Sequence, residues 1–219
     1  MGGAVRIEVY SDVVCPWCYI GKRRLENAIA TLAGDRDFAG AEVVYRPFQL
    51  DPHAPRDRSE PVADAYARKF GGPQRASELM ARVTKVAESE GLEFHLDRAL
   101  RPNTADAHRL LWWTLRTAGA KAQHDLNELL MAAYFTDGED LGDPDVLVAR
   151  AARCGLDADA VRSMLADEEG VEALAVALRH AADLGITAVP TFVLNSRWSI
   201  PGAQDTEYFV QVLRRVAGQ

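Results

Sequence analysis

The sequence predicts an α/β fold in which a large all-helical segment interrupts a small sheet. Strand patterns occur only towards the two ends of the chain, in residues 5–10, 42–48, 191–194 and 197–200. In the long segment between them, apolar residues recur at helical spacing. We therefore predict a discontinuous α/β domain formed by residues 1–50 and 184–219, with residues 51–183 inserted as a helical domain.

The first fifty residues form a strand–helix–strand pattern. Val5, Ile7 and Val9 alternate with more polar residues, as in a strand that buries one face. Pro16 suits the first position of a helix, because the N–H that proline lacks would have no partner there. The helical stripe ends at Gly34, and an apolar strand follows. This order of elements is typical of a parallel βαβ unit.

The middle of the chain predicts a bundle of about five to seven helices. Gly91, Gly119 and Gly155 separate its apolar stripes and are expected to end helices. Two clear stripes consist of Leu126, Leu129, Leu130 and Ala133, and of Val171, Leu174, Ala175 and Leu178.

The C-terminal part returns to strands and ends in a helix. Asn195-Ser196 separates two short strands and predicts a hairpin turn, although Asn-Gly would be a stronger turn signal. Asp205 predicts the N-cap of the last helix. The apolar face of that helix consists of Phe209, Val212, Leu213 and Val216.

The composition indicates a folded domain and narrows the classes of partner. The chain has 219 residues, of which 48% are hydrophobic and 26% charged, so it can bury a substantial core. Its net charge of -7 disfavours nucleic acids, because phosphate binding requires a basic surface. The apolar runs are too short to span a bilayer, and the N-terminus lacks the pattern of a secretory signal. We expect a cytoplasmic protein without a membrane partner.

Two cysteines, Cys15 and Cys18, stand where the first predicted helix begins. The helix dipole and the unpaired N–H groups of the first turn stabilise an anion at Cys15. Because the thiolate is the nucleophile, Cys15 is predicted to attack disulfides. Cys18 lies about one turn further on and can attack the mixed disulfide, which releases the partner. Pro16 and Trp17, between the two cysteines, are expected to contact the substrate.

Two other roles for the cysteine pair agree less well with the sequence. A zinc site would need two further ligands, and neither the histidines nor Cys154 provides a pair at a usual spacing. A purely structural disulfide across one helical turn would close almost no loop and would add little stability. We therefore predict no metal. Cys154, which precedes Gly155 at a predicted helix end, is expected to be a buried and inert thiol.

A proline late in the chain is the second feature of the site. Val189-Pro190 directly precedes the strand at residues 191–194. Proline cannot enter a central strand, but it suits the start of a strand or a cis turn. By itself the dipeptide is an ordinary strand start. Its significance comes from the order along the chain, in which a cysteine pair at a helix start is followed by Val-Pro at a strand start.

This order of elements resembles the thioredoxin fold, and the helical segment between its halves resembles the DsbA family. The FrnE-like branch of that family is similar in four segments, SDVVCPWCYIGKRRLE, RPFQLDP, RPNTADAHRL and GITAVPTFVLNSRWSIPGAQ. The resemblance spans Val5 to about Val216 and implies a thioredoxin-like fold with a large all-helical insertion. It also implies that Val189-Pro190 is cis and lies against the cysteine pair. There the Val189 backbone would pair with an extended substrate.

The segment NTADAHRL contains two further candidates for the active-site groove. Asn103 or Thr104 can cap a helix, and the resemblance places His108 towards the active-site groove. A partly buried histidine in a capping motif is the favoured interpretation of His108, and an acid–base role is the alternative. Asn103 and His108 are thus the candidates for the groove. The basic run that follows the cysteine pair is expected to form a solvated helical face, with Lys22, Arg23 and Arg24.

The sequence thus predicts a thiol-disulfide oxidoreductase or dithiol isomerase that requires no cofactor. Its expected partners are protein or small-molecule thiols and disulfides, with glutathione among the candidates. The alternative is a glutathione-dependent transferase or isomerase for a small molecule, because kappa-class glutathione transferases and chromene-carboxylate isomerases resemble this architecture. Those proteins typically have a serine in place of the complete cysteine pair, so the intact pair favours thiol exchange. The substrate, the direction of exchange and the oligomeric state stay open.

Overall fold

The structure is a computed structural model that describes residues 4–218, so the predicted domain limits at residues 1 and 219 lie outside it. The strands are β1 (Val5–Ser11), β2 (Ala41–Pro47), β3 (Glu60–Pro61), β4 (Leu100–Arg101), β5 (Thr191–Leu194) and β6 (Trp198–Pro201). The α-helices are α1 (Pro16–Thr31), α2 (Val62–Phe70), α3 (Pro73–Ser89), α4 (Ala105–Ala132), α5 (Pro144–Arg153), α6 (Ala158–Ala166), α7 (Val171–Asp183) and α8 (Thr206–Ala217). A π-helical turn follows α4 at Ala133–Asp137.

The predicted α/β fold class is confirmed. The main sheet has the strand order β2-β1-β5-β6, and β1 runs parallel to β2, as the strand–helix–strand pattern predicts. β5 is antiparallel to both β1 and β6. In the register of β1 and β5, Tyr10 lies opposite Thr191. This register brings Val189-Pro190, which precede β5, to the end of β1, where the turn towards α1 begins.

The predicted hairpin and the predicted cap of the last helix are both present. Asn195 and Ser196 have φ values of 48° and 54°, the left-handed pair of a type I′ turn. The N–H of Arg197 closes this turn by donating to the carbonyl of Leu194 at 3.0 Å. For that reason β6 begins one residue later than predicted. Asp205 caps α8, since its Oδ1 accepts from Tyr208 N at 2.8 Å.

The inserted segment differs from the prediction in one detail. β3 and β4 pair there as a two-stranded antiparallel sheet, in which Glu60 lies opposite Arg101. Strands of two residues are too short to produce a period-two pattern, so the sequence did not indicate them. The expected break at Gly119 is an interruption within α4, where φ is 87° and ψ is 178°. The domain limits at residues 50 and 184 stay a prediction.

Two clusters of buried side chains stabilise the fold. One lies between the main sheet, α1 and α8 and includes Val5, Ile7, Leu25, Phe192 and Phe209. The other joins the first turns of α1 to the inserted helices and includes Cys15, Cys18, Tyr19, Leu110 and Phe135. Burying each large apolar side chain contributes about 1.5–3 kcal/mol. The cysteine pair therefore sits on a well-packed junction between the sheet and the inserted helices.

Gln123 fastens α4 to the edge strand β2. Its buried side-chain amide accepts a hydrogen bond from Tyr45 N at 2.9 Å and donates one to Tyr45 O at 3.0 Å. The backbone groups of an edge strand have no neighbouring strand to pair with, and a side-chain amide can replace that partner. The contact fixes the position of α4, which also carries His108.

Two glycine substitutions test the packing of α4 against α7. Gly170 and Gly185 both have left-handed φ values, 82° and 73°, but a Cβ at Gly170 would lie 2.9 Å from the Trp112 ring, whereas none would touch anything at Gly185. We expect Gly185→Ala to lower the free energy of unfolding by about 1–2 kcal/mol. Gly170→Ala should lower it by roughly 1–3 kcal/mol more, because the ring must move. Urea unfolding measures both values, and equal losses would show that Trp112 does not fill this space.

Candidate active site

Cys15 occupies the predicted place at the start of α1. It is the N-cap residue, and Pro16 takes the first helical position. The turn before it is closed by Cys15 N, which donates to Asp12 O at 3.0 Å. Among the described residues, no N–H of the first turn donates a capping hydrogen bond to the Cys15 side chain, contrary to the contact we expected. The sulfur lies instead 3.9 Å from the carbonyl oxygen of Val189.

Cys18 lies deeper than Cys15 and is only 1% exposed. Burial raises the pKa of its thiol well above the usual value, and the hydrogen bond with Cys15 and the charge of Cys15 act in the same direction. The Ser11 hydroxyl and the Asp12 backbone N–H lower the pKa of Cys18, but they offset the increase only partly. All cysteines of the chain are free thiols. Cys18 is therefore a protonated thiol at neutral pH, held next to a cysteine that faces a groove.

The segment Val189-Pro190 packs closely against α1. Its peptide bond is cis, and Pro190 is buried. The carbonyl of Pro190 accepts from Gly202 N at 2.8 Å, which ties the segment to the end of β6. A Cβ at Gly21 would lie 3.1 Å from Pro190 Cγ, so a larger residue in this turn of α1 would push the segment away. These contacts place the Val189 carbonyl beside Cys15.

Cys15 lines a groove of about 730 Å³ between α1 and the inserted helices α2 and α3. Pro16 and Trp17, which are expected to contact the substrate, also line it. Four large apolar side chains of the groove are exposed by 37% to 42%, namely Trp17, Leu50, Phe70 and Leu79. Soluble proteins seldom leave such a patch exposed unless it binds something. The groove volume is within the usual range of ligand sites.

The groove is basic although the whole chain is acidic. It is lined by four cationic side chains, of Arg68, Lys69, Arg82 and Arg101. Arg68 and Arg101 are paired with Glu60, and Arg101 also contacts Asp51. Lys69 and Arg82 form no ion pair with any residue between 4 and 218, so their charges are available to a ligand.

Two tyrosines form the wall near Cys15. Burial, together with the charge of Cys15, raises the pKa of Tyr66 to about 12. Burial raises the pKa of Tyr134 as well, and Tyr66, Asp12 and Asp140 add to the effect. Both hydroxyls therefore stay protonated at physiological pH. The sulfur of Cys15 thus faces neutral groups on this side of the groove.

Asp12 is a site residue that the sequence analysis missed. It is 1% exposed, and its Oδ2 accepts from Leu50 N at 2.8 Å. Its Oδ1 lies 3.2 Å from His108 Nε2. These contacts join the end of β1 to the segment after β2 and to α4. A carboxylate directly after a buried strand and three residues before a cysteine is the signal that would have indicated it.

Neither His108, which the resemblance places towards the groove, nor Asn103, the other groove candidate, lines the groove. Among the described residues, the groove lining includes Pro102 and Thr104 but neither of these side chains. His108 is 4% exposed and lies behind Asp12, in the wall of a separate small cavity. The side chain of Asn103 instead bonds to the backbone. Its Oδ1 accepts a hydrogen bond from Ala105 N at 3.0 Å, and its Nδ2 donates one to Ala54 O at 2.7 Å.

The basic run after the cysteine pair is not a solvated face. Lys22 is 1% exposed and contacts both Glu26 and Glu128. Burial opposes the ionisation of Glu26, but hydrogen bonds from His124 and Lys22 outweigh it and lower the pKa to about 2. Removing one partner of a buried ion pair is strongly destabilising. This charged cluster therefore holds α1 against α4.

Cys154 is half-buried rather than buried, and it lies outside the groove that contains Cys15. It lines a second, polar pocket together with His124 and Asp125. Its thiol donates to Ala122 O at 3.5 Å. Burial raises its pKa, and the charge of Asp125 adds to the effect, so its thiol is less reactive than a free one.

Comparison with known proteins shows the family. Residues 6–214 match the DSBA-like thioredoxin domain family. The chain belongs to this family, and it has the fold of the DsbA-like thiol-disulfide oxidoreductases. The crystal structure of the probable DsbA oxidoreductase SCO1869 from Streptomyces coelicolor is similar over 98% of this chain and 91% of that one, with a TM-score of 0.88 and 35% identity.

Two further proteins are similar over nearly their whole length. The uncharacterized protein YwbO of Bacillus subtilis (strain 168) is 30% identical over 211 residues, which are 95% of this chain and 96% of that protein. The cytosolic disulfide reductase DsbM from Pseudomonas aeruginosa has a TM-score of 0.65 at 17% identity, over 96% of this chain and 95% of that one. DsbM has also been solved with glutathione. At this identity the likeness shows the fold alone.

In the part of the chain that the structure describes, every helix is too short or too polar to cross a bilayer.

The environments of the two thiols lead to a testable order of reaction. In the reduced protein, limited iodoacetamide should modify Cys15 before Cys18, because Cys15 lines the groove while the pKa of the deeper Cys18 is raised. Mass mapping of the peptides measures the order, and a Cys154→Ser background restricts the reaction to the pair. Equal labelling, or Cys18 first, would contradict the assignment of Cys15 as the accessible nucleophile.

Proposed function

We propose that this protein is a thiol-disulfide oxidoreductase in which Cys15 is the nucleophile and Cys18 the resolving thiol. One observation carries the proposal. Two free thiols stand one helical turn apart, and one lines a ligand-sized groove while the other is buried next to it. A nucleophile needs access to its substrate, whereas a resolving thiol needs access only to the first sulfur. The arrangement supports both requirements.

The exchange consists of two substitutions at sulfur. The Cys15 thiolate attacks one sulfur of a substrate disulfide, so that a mixed disulfide forms and the other substrate sulfur leaves as a thiolate. Cys18 then loses its proton and attacks Cys15 Sγ, which releases the first substrate sulfur. The substrate gains two electrons, and Cys15 and Cys18 lose two in forming their disulfide. The reverse sequence oxidises a substrate dithiol, and attack followed by release without Cys18 rearranges disulfides.

Val189 and Pro190 form the proposed substrate loop. The Val189 carbonyl is 3.9 Å from Cys15 Sγ, so a substrate cysteine that reaches Cys15 also passes this backbone. An extended substrate segment would pair with the Val189 backbone as an added strand. Trp17, exposed beside Cys15, would contact the residues next to the substrate cysteine.

The lining of the groove favours a disulfide in an extended chain with apolar side chains. Leu50, Phe70 and Leu79 offer exposed apolar surface, and Lys69 and Arg82 offer unpaired positive charge to acidic groups. Glutathione, a small anionic thiol, would exchange electrons with the pair. DsbM, which shares the fold, is named a cytosolic disulfide reductase and has been solved with glutathione. We place the reaction in the cytoplasm, where thiols are kept reduced.

Single-cysteine variants test the proposal. Cys18→Ser should accumulate mixed disulfides at Cys15 and lose turnover of insulin disulfides, because no thiol remains to release the partner. Cys15→Ser should neither trap partners nor turn over. Cys154→Ser should behave as the wild type and serves as the matched control for loss of a thiol. Insulin turbidity and non-reducing gels measure turnover and trapping.

The same variants separate exchange from the glutathione-transferase alternative. A transferase needs one group to hold the glutathione thiolate, so its conjugation of glutathione to an aryl halide should survive Cys18→Ser. We expect insulin reduction by the wild type and no conjugation that survives this substitution. Conjugation that persists in Cys18→Ser, with no disulfide turnover in the wild type, would reverse the assignment.

A further inference from the structure

Part of the groove lining comes from the two inserted helices α2 and α3. Its exposed large side chains there include Lys69 and Phe70 at the end of α2 and Leu79 and Arg82 on α3. We call these four residues the α2–α3 wall. Leu79 and Arg82 are three residues apart on α3, so they lie side by side on one face of the helix. The wall therefore presents apolar surface and positive charge next to each other.

The apolar side chains of the wall are held in place but stay open to the groove. The Phe70 ring packs edge-on against the Tyr66 ring, with 5.3 Å between the ring centroids. Lys69 Nζ lies 5.7 Å from the centroid of the Phe70 ring, within the range of a cation–π contact. Phe70 is nevertheless 37% exposed, and Leu79 is 39% exposed. Both side chains can therefore contact a ligand without a change of fold.

The two cations of the wall are not neutralised by the carboxylates of the groove. The groove lining contains the carboxylates of Asp12 and Asp51. Asp12 is buried behind its own hydrogen bonds, and Asp51 pairs with Arg101. Neither forms an ion pair with Lys69 or Arg82 in the part of the chain that is described. In a chain with a net charge of -7, this local positive charge favours a ligand with acidic groups.

The remaining exposed apolar surface of the groove lies near the cysteine. Trp17 on α1 and Leu50 after β2 are each 42% exposed and line the same groove as Cys15. The Val189 carbonyl lies 3.9 Å from Cys15 Sγ. An extended segment that pairs with the Val189 backbone would therefore meet apolar side chains along the groove, and unpaired positive charge where it reaches the α2–α3 wall.

We propose that the α2–α3 wall selects polypeptide substrates in which acidic and apolar side chains flank the reactive cysteine. The inference rests on the proposed exchange reaction and names its class of substrate. Lys69 and Arg82 determine the preference for acidic groups, because each can pair with a substrate carboxylate. Phe70 and Leu79 contact the apolar side chains. Glutathione disulfide also offers carboxylates, but it has no large apolar side chain for these two residues, so the wall favours a polypeptide.

Three peptides that differ in one charge test this selection. Each contains the same apolar residues around an internal disulfide, with a glutamate, a glutamine or a lysine beside one cysteine. The glutamate peptide should oxidise the reduced wild type with a rate constant about fivefold above that of the glutamine peptide, the upper range for one exposed ion pair. The lysine peptide should be the slowest. At about 1 M salt the differences should fall below twofold, because exposed charges are screened.

Charge variants assign the preference to the wall. Lys69→Gln/Arg82→Gln should bring the three rate constants within about twofold of one another, and Lys69→Glu/Arg82→Glu should reverse their order. The matched control is Arg36→Glu/Lys85→Glu, which changes the net charge equally through two exposed cations outside the groove lining. It should keep the wild-type order. Each rate constant is divided by that of the same variant with the neutral bis(2-hydroxyethyl) disulfide, which corrects for altered folding or thiol reactivity.

A fourth peptide separates a polypeptide from a small anionic disulfide. It keeps the glutamate but has glycine in place of the apolar residues, and glutathione disulfide is measured beside it. Both should react at least about fourfold more slowly than the apolar glutamate peptide, which is the effect of losing one buried methylene group. Phe70→Ser/Leu79→Ser should reduce this difference. Equal rate constants for all three disulfides in the wild type would overturn the assignment to polypeptides.

The outcomes distinguish this inference from the proposed function. Equal rate constants for the three charge peptides in the wild type would overturn the selection while the exchange reaction stands. An order that Lys69→Glu/Arg82→Glu leaves unchanged, or that Arg36→Glu/Lys85→Glu also reverses, would do the same. If neither the peptides nor bis(2-hydroxyethyl) disulfide oxidised the cysteine pair, the exchange reaction itself would be overturned, and the selection with it.

Discussion

The buried carboxylate of Asp12 is the contact on which the geometry of the site depends. Its two oxygens meet the backbone N–H of Leu50 and the imidazole of His108, and its own carbonyl closes the turn at Cys15. A buried carboxylate is tolerated only when its oxygens are hydrogen-bonded. The end of β1, the segment after β2 and helix α4 are therefore held in one arrangement. The turn that carries Cys15, the proposed nucleophile, is part of that arrangement.

The proposed division of roles between the two thiols is based on the depth at which each one is buried. Cys15 lies at the last residue before α1, where the chain reaches the groove, and Cys18 lies one turn inside the packed helix. The charged cluster around Lys22 and the close approach of Pro190 to Gly21 hold α1 from two directions. Because the helix is fixed, the distance between Cys15 and the Val189 carbonyl is fixed as well. The proposed substrate loop and the proposed nucleophile thus form one edge of the groove.

Features with a local signal were predictable from the sequence. Proline at the start of α1, the left-handed turn at Asn195-Ser196 and the cap at Asp205 all depend on neighbouring residues, and all are present. The cysteine pair was recognised because its spacing and its place at a helix start carry the chemistry. The late Val-Pro was recognised only from the order of elements and from the resemblance to a family.

Features that depend on distant contacts were not predictable. Lys22 stands in a run of three basic residues, which is the pattern of an exposed helix face, yet Glu128 of α4 neutralises it in the interior. His108 could be placed on a helix but not behind Asp12, because the packing of α4 on β1 determines which way it faces. The groove could not be predicted from the sequence either. Part of its lining comes from α2 and α3, whose side chains have the pattern of an ordinary helix surface.

The redox equilibrium of the Cys15–Cys18 pair against a glutathione series tests the central claim most directly. Thiol labelling and mass spectrometry would follow each cysteine across the series. The account predicts that Cys15 and Cys18 are oxidised together, in one two-electron transition, to an internal disulfide while Cys154 stays reduced. Its midpoint should fall between about −270 mV and about −120 mV, the potentials of thioredoxin and DsbA. Glutathione bound to Cys15 beside a reduced Cys18, at every ratio in the series, would contradict the account.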